Sequence, residues 1–152
     1  FETRIADLLR DSGYEAVKER LRRIGEYDFR KLDGRDLGDI DVFALDVKNR
    51  KIVLIEAKNL EVARTPTELR NEVKQLIGPG NSAIERLKER EDWIRSHMNT
   101  VLTEFKIRNR NGWSTQAIVV VSHPILSEYL LHDANIPVIP IEKLEGHLST
   151  AK

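Results

Sequence analysis

Two carboxylates and one amine are the residues in this chain whose types and spacing could do chemistry. Asp41 lies in the run Gly38-Asp39-Ile40-Asp41-Val42-Phe43-Ala44-Leu45-Asp46. Glu56 and Lys58 lie in Lys51-Ile52-Val53-Leu54-Ile55-Glu56-Ala57-Lys58. An acidic side chain inside an apolar strand is costly unless something compensates it. A divalent cation does so. Mg²⁺ takes oxygen ligands, keeps several waters and is held by one or two carboxylates together with substrate phosphate. Asp41 and Glu56 would supply the carboxylates and the Ala57 carbonyl a further ligand, with Mn²⁺ as the expected substitute metal. Lys58 would orient the attacking water or steady negative charge as a phosphorus becomes five-coordinate.

The elements that must position these groups are two strands and a turn. Both runs are apolar and β-branched, and Val47-Lys48-Asn49-Arg50 between them reads as a hairpin turn. Side chains alternate faces along a strand, so Asp39 and Asp41 share one face of the first strand. Glu56 and Lys58 share one face of the second, and Ala57 points the other way, towards packing. Fourteen residues separate Asp41 from Glu56, which suits two strands and a tight turn.

These residues resemble the PD-(D/E)xK nuclease superfamily, in an Mrr-like or resolvase-like branch. Asp41 matches the metal-binding aspartate and Glu56-Ala57-Lys58 the (D/E)xK tripeptide, although Ile40 stands where the family name has proline. The resemblance implies an α/β, restriction-endonuclease-like fold: a central mixed β-sheet of four to five strands flanked by helices. It also implies a Mg²⁺-dependent endodeoxyribonuclease acting on DNA, with homodimers common in the superfamily. The segment Phe1-Glu2, Ile5-Ala6, Leu8-Leu9, Gly13-Tyr14 is similar to the opening helix of the Mrr-like branch. Glu2 is there either a third acidic residue at the metal or a first-turn glutamate favoured by the helix dipole. Gln75, on the helix after the lysine, is either a residue that touches the site or part of a polar helix surface. The RecB-like pattern has a tyrosine four positions later, where this chain has Pro79.

Composition sets the frame. A chain of 152 residues, 40% apolar and 33% charged, suits a single domain with a real core over 1–152. A start at Phe1 is expected of a fragment of a longer protein with other domains. Zero cysteines exclude disulfides and thiolate metal sites and are compatible with a cytoplasmic or otherwise intracellular location. No apolar run approaches a membrane span, so no membrane partner is expected. With 25 basic and 25 acidic residues the formal charge is zero, which argues against a strongly basic nucleic-acid coat but not against local patches. His97, His123, His132 and His147 show no zinc-ligand spacing, and His123, at a strand end, reads as structural before it reads as a base.

Along the chain, Phe1–Ser12 has helical periodicity that Gly13 ends. Tyr14, Val17, Leu21 and Ile24 fit a helix over Glu15–Ile24, where the family pattern instead implies a strand; the expectation taken is a helix, then a strand within Tyr27–Leu32. Lys18, Arg20, Arg22, Arg23, Arg30 and Lys31 form a basic stretch, either a solvated face or a phosphate contact. Asp33-Gly34-Arg35-Asp36 reads as a turn. Thr65-Pro66-Thr67-Glu68 starts a helix with a capping box, stopped by Gly78-Pro79-Gly80. Asn81 or Ser82 caps a helix running to about Phe105, about 36 Å long at about 1.5 Å per residue, with Trp93 beside its stripe and read as core. Trp113 reads equally as a lid or an anchor. Ala117–Val121 suits a strand covered on both faces, Pro124–His132 a helix burying Leu126, Leu130 and Leu131, and Ile136–Ile141 a last edge strand parallel to the preceding one. Glu142–Leu148 closes with a helical turn. The alternatives to a nuclease are a catalytically weak nucleic-acid-binding or protein-interaction module on the same fold, and an ordinary edge hairpin with surface charges.

Overall fold

A computed structural model describes residues 1–32, 34–78, 82–125 and 135–150. The fold is mixed α/β: a five-stranded sheet flanked by helices on both faces. Strands β1 (Ala16–Leu21), β4 (Ile40–Asp46), β5 (Lys51–Lys58), β6 (Ser114–Val121) and β7 (Val138–Pro140) lie in the order β1-β4-β5-β6-β7. β1 and β5 run antiparallel to β4, β6 runs parallel to β5, and β7 runs parallel to β6 as a sheet edge. A small two-stranded sheet pairs β2 (Arg23–Ile24) with β3 (Tyr27–Asp28).

β4 and β5 are almost wholly buried because both of their faces are covered. Phe43, Leu45, Ile52 and Leu54 pack with Leu76 of α2 (Pro66–Ile77), with Leu87 and Ile94 of α3 (Ala83–Ser96), and with Val101 and Leu102 of α4 (Met98–Glu104). On the other face Val42, Ala44, Val53 and Ile55 meet Ile5 and Leu9 of α1 (Glu2–Asp11) and Leu144 and Leu148 of α5 (Leu144–Thr150). Local signals place the helix starts. Thr65 and Glu68 form the expected capping box with Pro66 in the first turn, and Ser82 with Glu85 forms a second. At the hairpin, Asp46 accepts from the Asn49 amide at 3.0 Å and from its side chain at 2.6 Å.

Two expectations are corrected. Glu15–Ile24 is not a helix: Ala16–Leu21 is the edge strand β1, in register with β4 from Ala16↔Leu45 to Leu21↔Ile40. Hydrogen-bonding the open edge of β4 outweighs a helical spacing of apolar residues, and the strand implied by the family resemblance is the one present. In Tyr27–Leu32 the strand covers Tyr27–Asp28, followed by a 3₁₀ turn over Phe29–Lys31. The long rod to Phe105 is broken at His97, which ends α3 and begins α4. The His97 ring stacks on Trp93 at 4.3 Å and its Nδ1 lies 2.9 Å from the Trp93 carbonyl, so the side chain competes for a helix acceptor. Beyond the break Phe105 stacks on Phe43 of β4 at 4.9 Å.

Trp93 is core, 8% exposed and edge-on to Tyr27 and Phe29. Trp113 is an anchor: partly buried, with Nε1 donating to the Asn109 carbonyl at 2.8 Å. Asp33, Pro79, Gly80, Asn81 and the helix expected with Leu126, Leu130, Leu131 and His132 lie outside the described residues. Among the described residues no helix is long and apolar enough to cross a membrane.

Candidate active site

The register of the central hairpin builds the site. Val42 pairs with Ile55, so the next step along sets Asp41 beside Glu56. Alternation then puts both acids on the sheet face covered by α2, α3 and α4, beyond Phe43 and Leu54. Ala57 turns to the opposite core, but its amide N–H donates to Asp41 Oδ2 at 2.8 Å. Lys58 Nζ lies 2.8 Å from Glu56 Oε1. The strand's end is itself held, since the Ser122 amide donates to the Lys58 carbonyl at 3.1 Å. Asp41, Glu56 and Lys58 are therefore brought together at one end of adjacent strands.

Glu56 is 3% exposed and crowded by cations. Arg90 Nη1 lies 2.7 Å from its Oε2, and Arg86 Nη2 lies 3.8 Å from its Oε1. Burial pushes the Glu56 carboxyl up, but Arg90 and Lys58 outweigh burial and hold it below the usual carboxylate value. Asp41 has no ion-pair partner among the described residues. Burial, and after it the Glu56 charge, push the Asp41 carboxyl up to about 6, against the lowering effect of the Ala57 N–H. Glu2 adds to that rise and Lys58 opposes it.

Arg90 was not among the expected site residues. It is 2% exposed, and its Nε donates to the Leu37 carbonyl at 2.7 Å, with Nη2 donating to the same oxygen. A signal for it exists in the sequence: Ala83, Leu87, Arg90 and Ile94 follow helical spacing, and Arg90 is the charged member of that buried stripe. Gly38 serves the same contact. Its φ is +68°, and a Cβ there would come within 3.1 Å of Arg90 Nη2.

The other expected residues take different places. Asp39 precedes β4 and is gripped by Arg30 through two hydrogen bonds of 2.8 and 2.7 Å. Glu2 lines a cleft with Ala57 and Asn59 and is paired to Arg20 at 2.7 Å. Arg20 itself sits at φ +49°, a left-handed backbone in a non-glycine residue. Gln75 lines an open groove of about 780 Å³ with Asn59, Arg64, Glu72 and His123. Among the described residues no hydrogen bond or ion pair joins Gln75 to Asp41, Glu56 or Lys58. In the basic stretch, Arg20, Arg22, Arg23 and Arg30 are each paired to an acid: Glu2, Asp28, Asp28 and Asp39.

The donor set suits a hard cation. Two carboxylates and a backbone carbonyl are all oxygen, and Asp41, raised by burial and by its like-charged neighbour, is a carboxylate whose ionised form an added cation would favour. Among the described residues no group of three or more His, Cys, Asp or Glu is arranged to hold a metal.

No family model matches this chain, and no curated protein matches it. Among solved structures it is similar to protein VC1899 from Vibrio cholerae, with a TM-score of 0.48 and 16% identity over 99% of this chain and 32% of that one. It is also similar to the small subunit of the heterodimeric restriction endonuclease R.BspD6I, with a TM-score of 0.47 and 16% identity over 99% of this chain and 69% of that one. The chain thus spans about a third of the length of the Vibrio cholerae protein.

Proposed function

We propose that this chain is a Mg²⁺-dependent nuclease domain of restriction-endonuclease-like fold that hydrolyses DNA phosphodiester bonds. The observation that carries the reading is the convergence of Asp41, Glu56 and Lys58 at the ends of β4 and β5, with Lys58 Nζ 2.8 Å from Glu56 and Asp41 tied to the Ala57 amide at 2.8 Å. Asp41, Glu56 and the Ala57 carbonyl would hold Mg²⁺. When bound, Mg²⁺ supplies Lewis-acid polarisation of the phosphate and a more acidic water. The chain's own residues do the rest. Lys58, one-quarter exposed, presents an ammonium at the mouth of the site, where it orients a water or the phosphate oxygens. The buried floor beneath Glu56 keeps bulk water from screening these charges.

The test is cleavage of plasmid, linear and branched DNA with Mg²⁺ or Mn²⁺ and with EDTA. Cleavage is expected with either metal and not with EDTA. Asp41→Ala and Lys58→Ala should each lower it by about 10²–10³-fold. Undiminished cleavage in both variants would reject these roles.

A second reading, a nucleic-acid-binding module with little catalysis, is favoured by one observation. Both oxygens of Glu56 are already engaged by cationic groups, Arg90 and Lys58. DNA retention without metal, together with no cleavage in any condition, would select it.

A further inference from the structure

Arg86 and Arg90 stand one turn apart on α3, and both reach Glu56. Three cationic nitrogens lie within 4 Å of this one carboxylate, at 2.7, 2.8 and 3.8 Å. Oε2 is engaged by Arg90 and Oε1 by Lys58, whereas Asp41, one strand away, accepts a backbone N–H. Arg90 is also anchored independently of Glu56. The Leu37 carbonyl accepts from its Nε and Nη2, and the missing side chain at Gly38 makes room for the guanidinium.

We propose that Arg90 is a built-in counter-ion of Glu56, which neutralises this carboxylate in the metal-free protein and competes with a divalent cation for it. The proposal rests on the reading of Asp41 and Glu56 as a cation site. A fixed positive charge beside a ligand repels a dication, and burial leaves that repulsion poorly screened. Arg90 cannot withdraw while Leu37 holds it, so a metal must draw Glu56 away from it. The same surplus of positive charge favours an anion, and a phosphate oxygen arriving with the metal would offset the repulsion. Metal and phosphodiester should therefore bind to this site with mutual assistance.

Measuring Mn²⁺ binding without nucleic acid, by calorimetry and by thermal denaturation against EDTA, tests this on the whole chain. Arg90→Met, which keeps the bulk and loses the charge, should melt lower than wild type in EDTA, gain more from Mn²⁺, and bind it at least about tenfold more tightly. Arg90→Lys should stay within about threefold of wild type. Adding Asp41→Asn to Arg90→Met should abolish the gain. Arg90→Met binding Mn²⁺ no more tightly than wild type overturns the proposal, as does a gain that survives Asp41→Asn. If Arg90→Met is unfolded in EDTA, recovery of folded protein on adding Mn²⁺ supports the proposal, and failure to recover at saturating Mn²⁺ overturns it. These readouts need no turnover. A wild-type chain that cleaves no DNA would end the nuclease reading without touching them, and cleavage with no effect at Arg90 would reject the counter-ion alone.

Discussion

Asp41 and Glu56 are neighbours on adjacent strands, yet the two sides of the site treat a carboxylate in opposite ways. On the α3 side, Glu56 is buried under cations that hold its carboxyl below the ordinary value. One strand over, on the same sheet face, Asp41 is half-buried with no cation paired to it among the described residues, so burial, and after it the Glu56 charge, push it up to about 6. The difference teaches which part of the site is frame and which part responds. Glu56 is tied into the core through Arg90, Leu37 and α3. Asp41 carries a charge that the surrounding protein leaves largely uncompensated, and there an added cation has most to offer.

Breaking the Glu56 side should cost most. Glu56→Ala leaves Arg90 buried beside a carbonyl but without its anion. Removing one partner of a buried pair destabilises by about 3–5 kcal/mol. Urea denaturation at pH 7 in EDTA should show a loss of that order. The depressed carboxyl of Glu56 sets the direction with pH: its contribution is present above the unfolded value, near 4.5, and is lost as pH falls. The gap between variant and wild type should therefore narrow in acid. A loss under about 1 kcal/mol at pH 7 would mean that Glu56 and Arg90 are not coupled as the geometry has them.

The Asp41 side should behave in the reverse sense. Its folded carboxyl binds a proton more tightly than the unfolded chain does, about 6 against 3.8. Stability therefore falls as pH rises from about 4 to about 6 and is flat above. Asp41→Asn removes the charge and keeps an acceptor for the Ala57 N–H. In EDTA it should be more stable than wild type by about 2 kcal/mol above pH 6 and indistinguishable from it below about pH 4. Saturating Mn²⁺ should cancel the advantage by stabilising only the wild type. An Asp41→Asn variant that is less stable at pH 7.5 would contradict the contrast between the two acids.

The two sides were not equally legible in the sequence. The hairpin, the Thr65–Glu68 capping box and the alternation that sets Asp41 with Glu56 depend on neighbours a few residues apart, and all are present in the structure. Arg90 depends on a contact 34 residues away in sequence, and Leu37 on one 53 away, so the charged residue in the α3 stripe passes for an ordinary surface arginine. β1 is a strand because β4 has an edge to fill, which the local periodicity of Tyr14, Val17, Leu21 and Ile24 cannot report. The break at His97 likewise rests on a ring contact with Trp93 that a continuous apolar stripe conceals.

The smallest effect should come from the pair that flanks Asp41. Glu2 and Arg20 meet at 2.7 Å, but the Arg20 side chain is 75% exposed, and solvent-exposed ion pairs contribute little to stability. Arg20→Ala should leave the denaturation midpoint unchanged at physiological salt. Its consequence should be electrostatic and local. Glu2 raises the Asp41 carboxyl, and Arg20 feels both Glu2 and Asp41. Losing the arginine leaves Glu2 unopposed and should push Asp41 further up, while Glu2→Gln should let it fall. Titrating the Asp41 carboxyl by NMR in EDTA, in both variants, reads these opposite displacements directly. Displacements of the same sign, or none, would mean that Glu2 lies outside the field of the site and belongs only to the first turn of its helix.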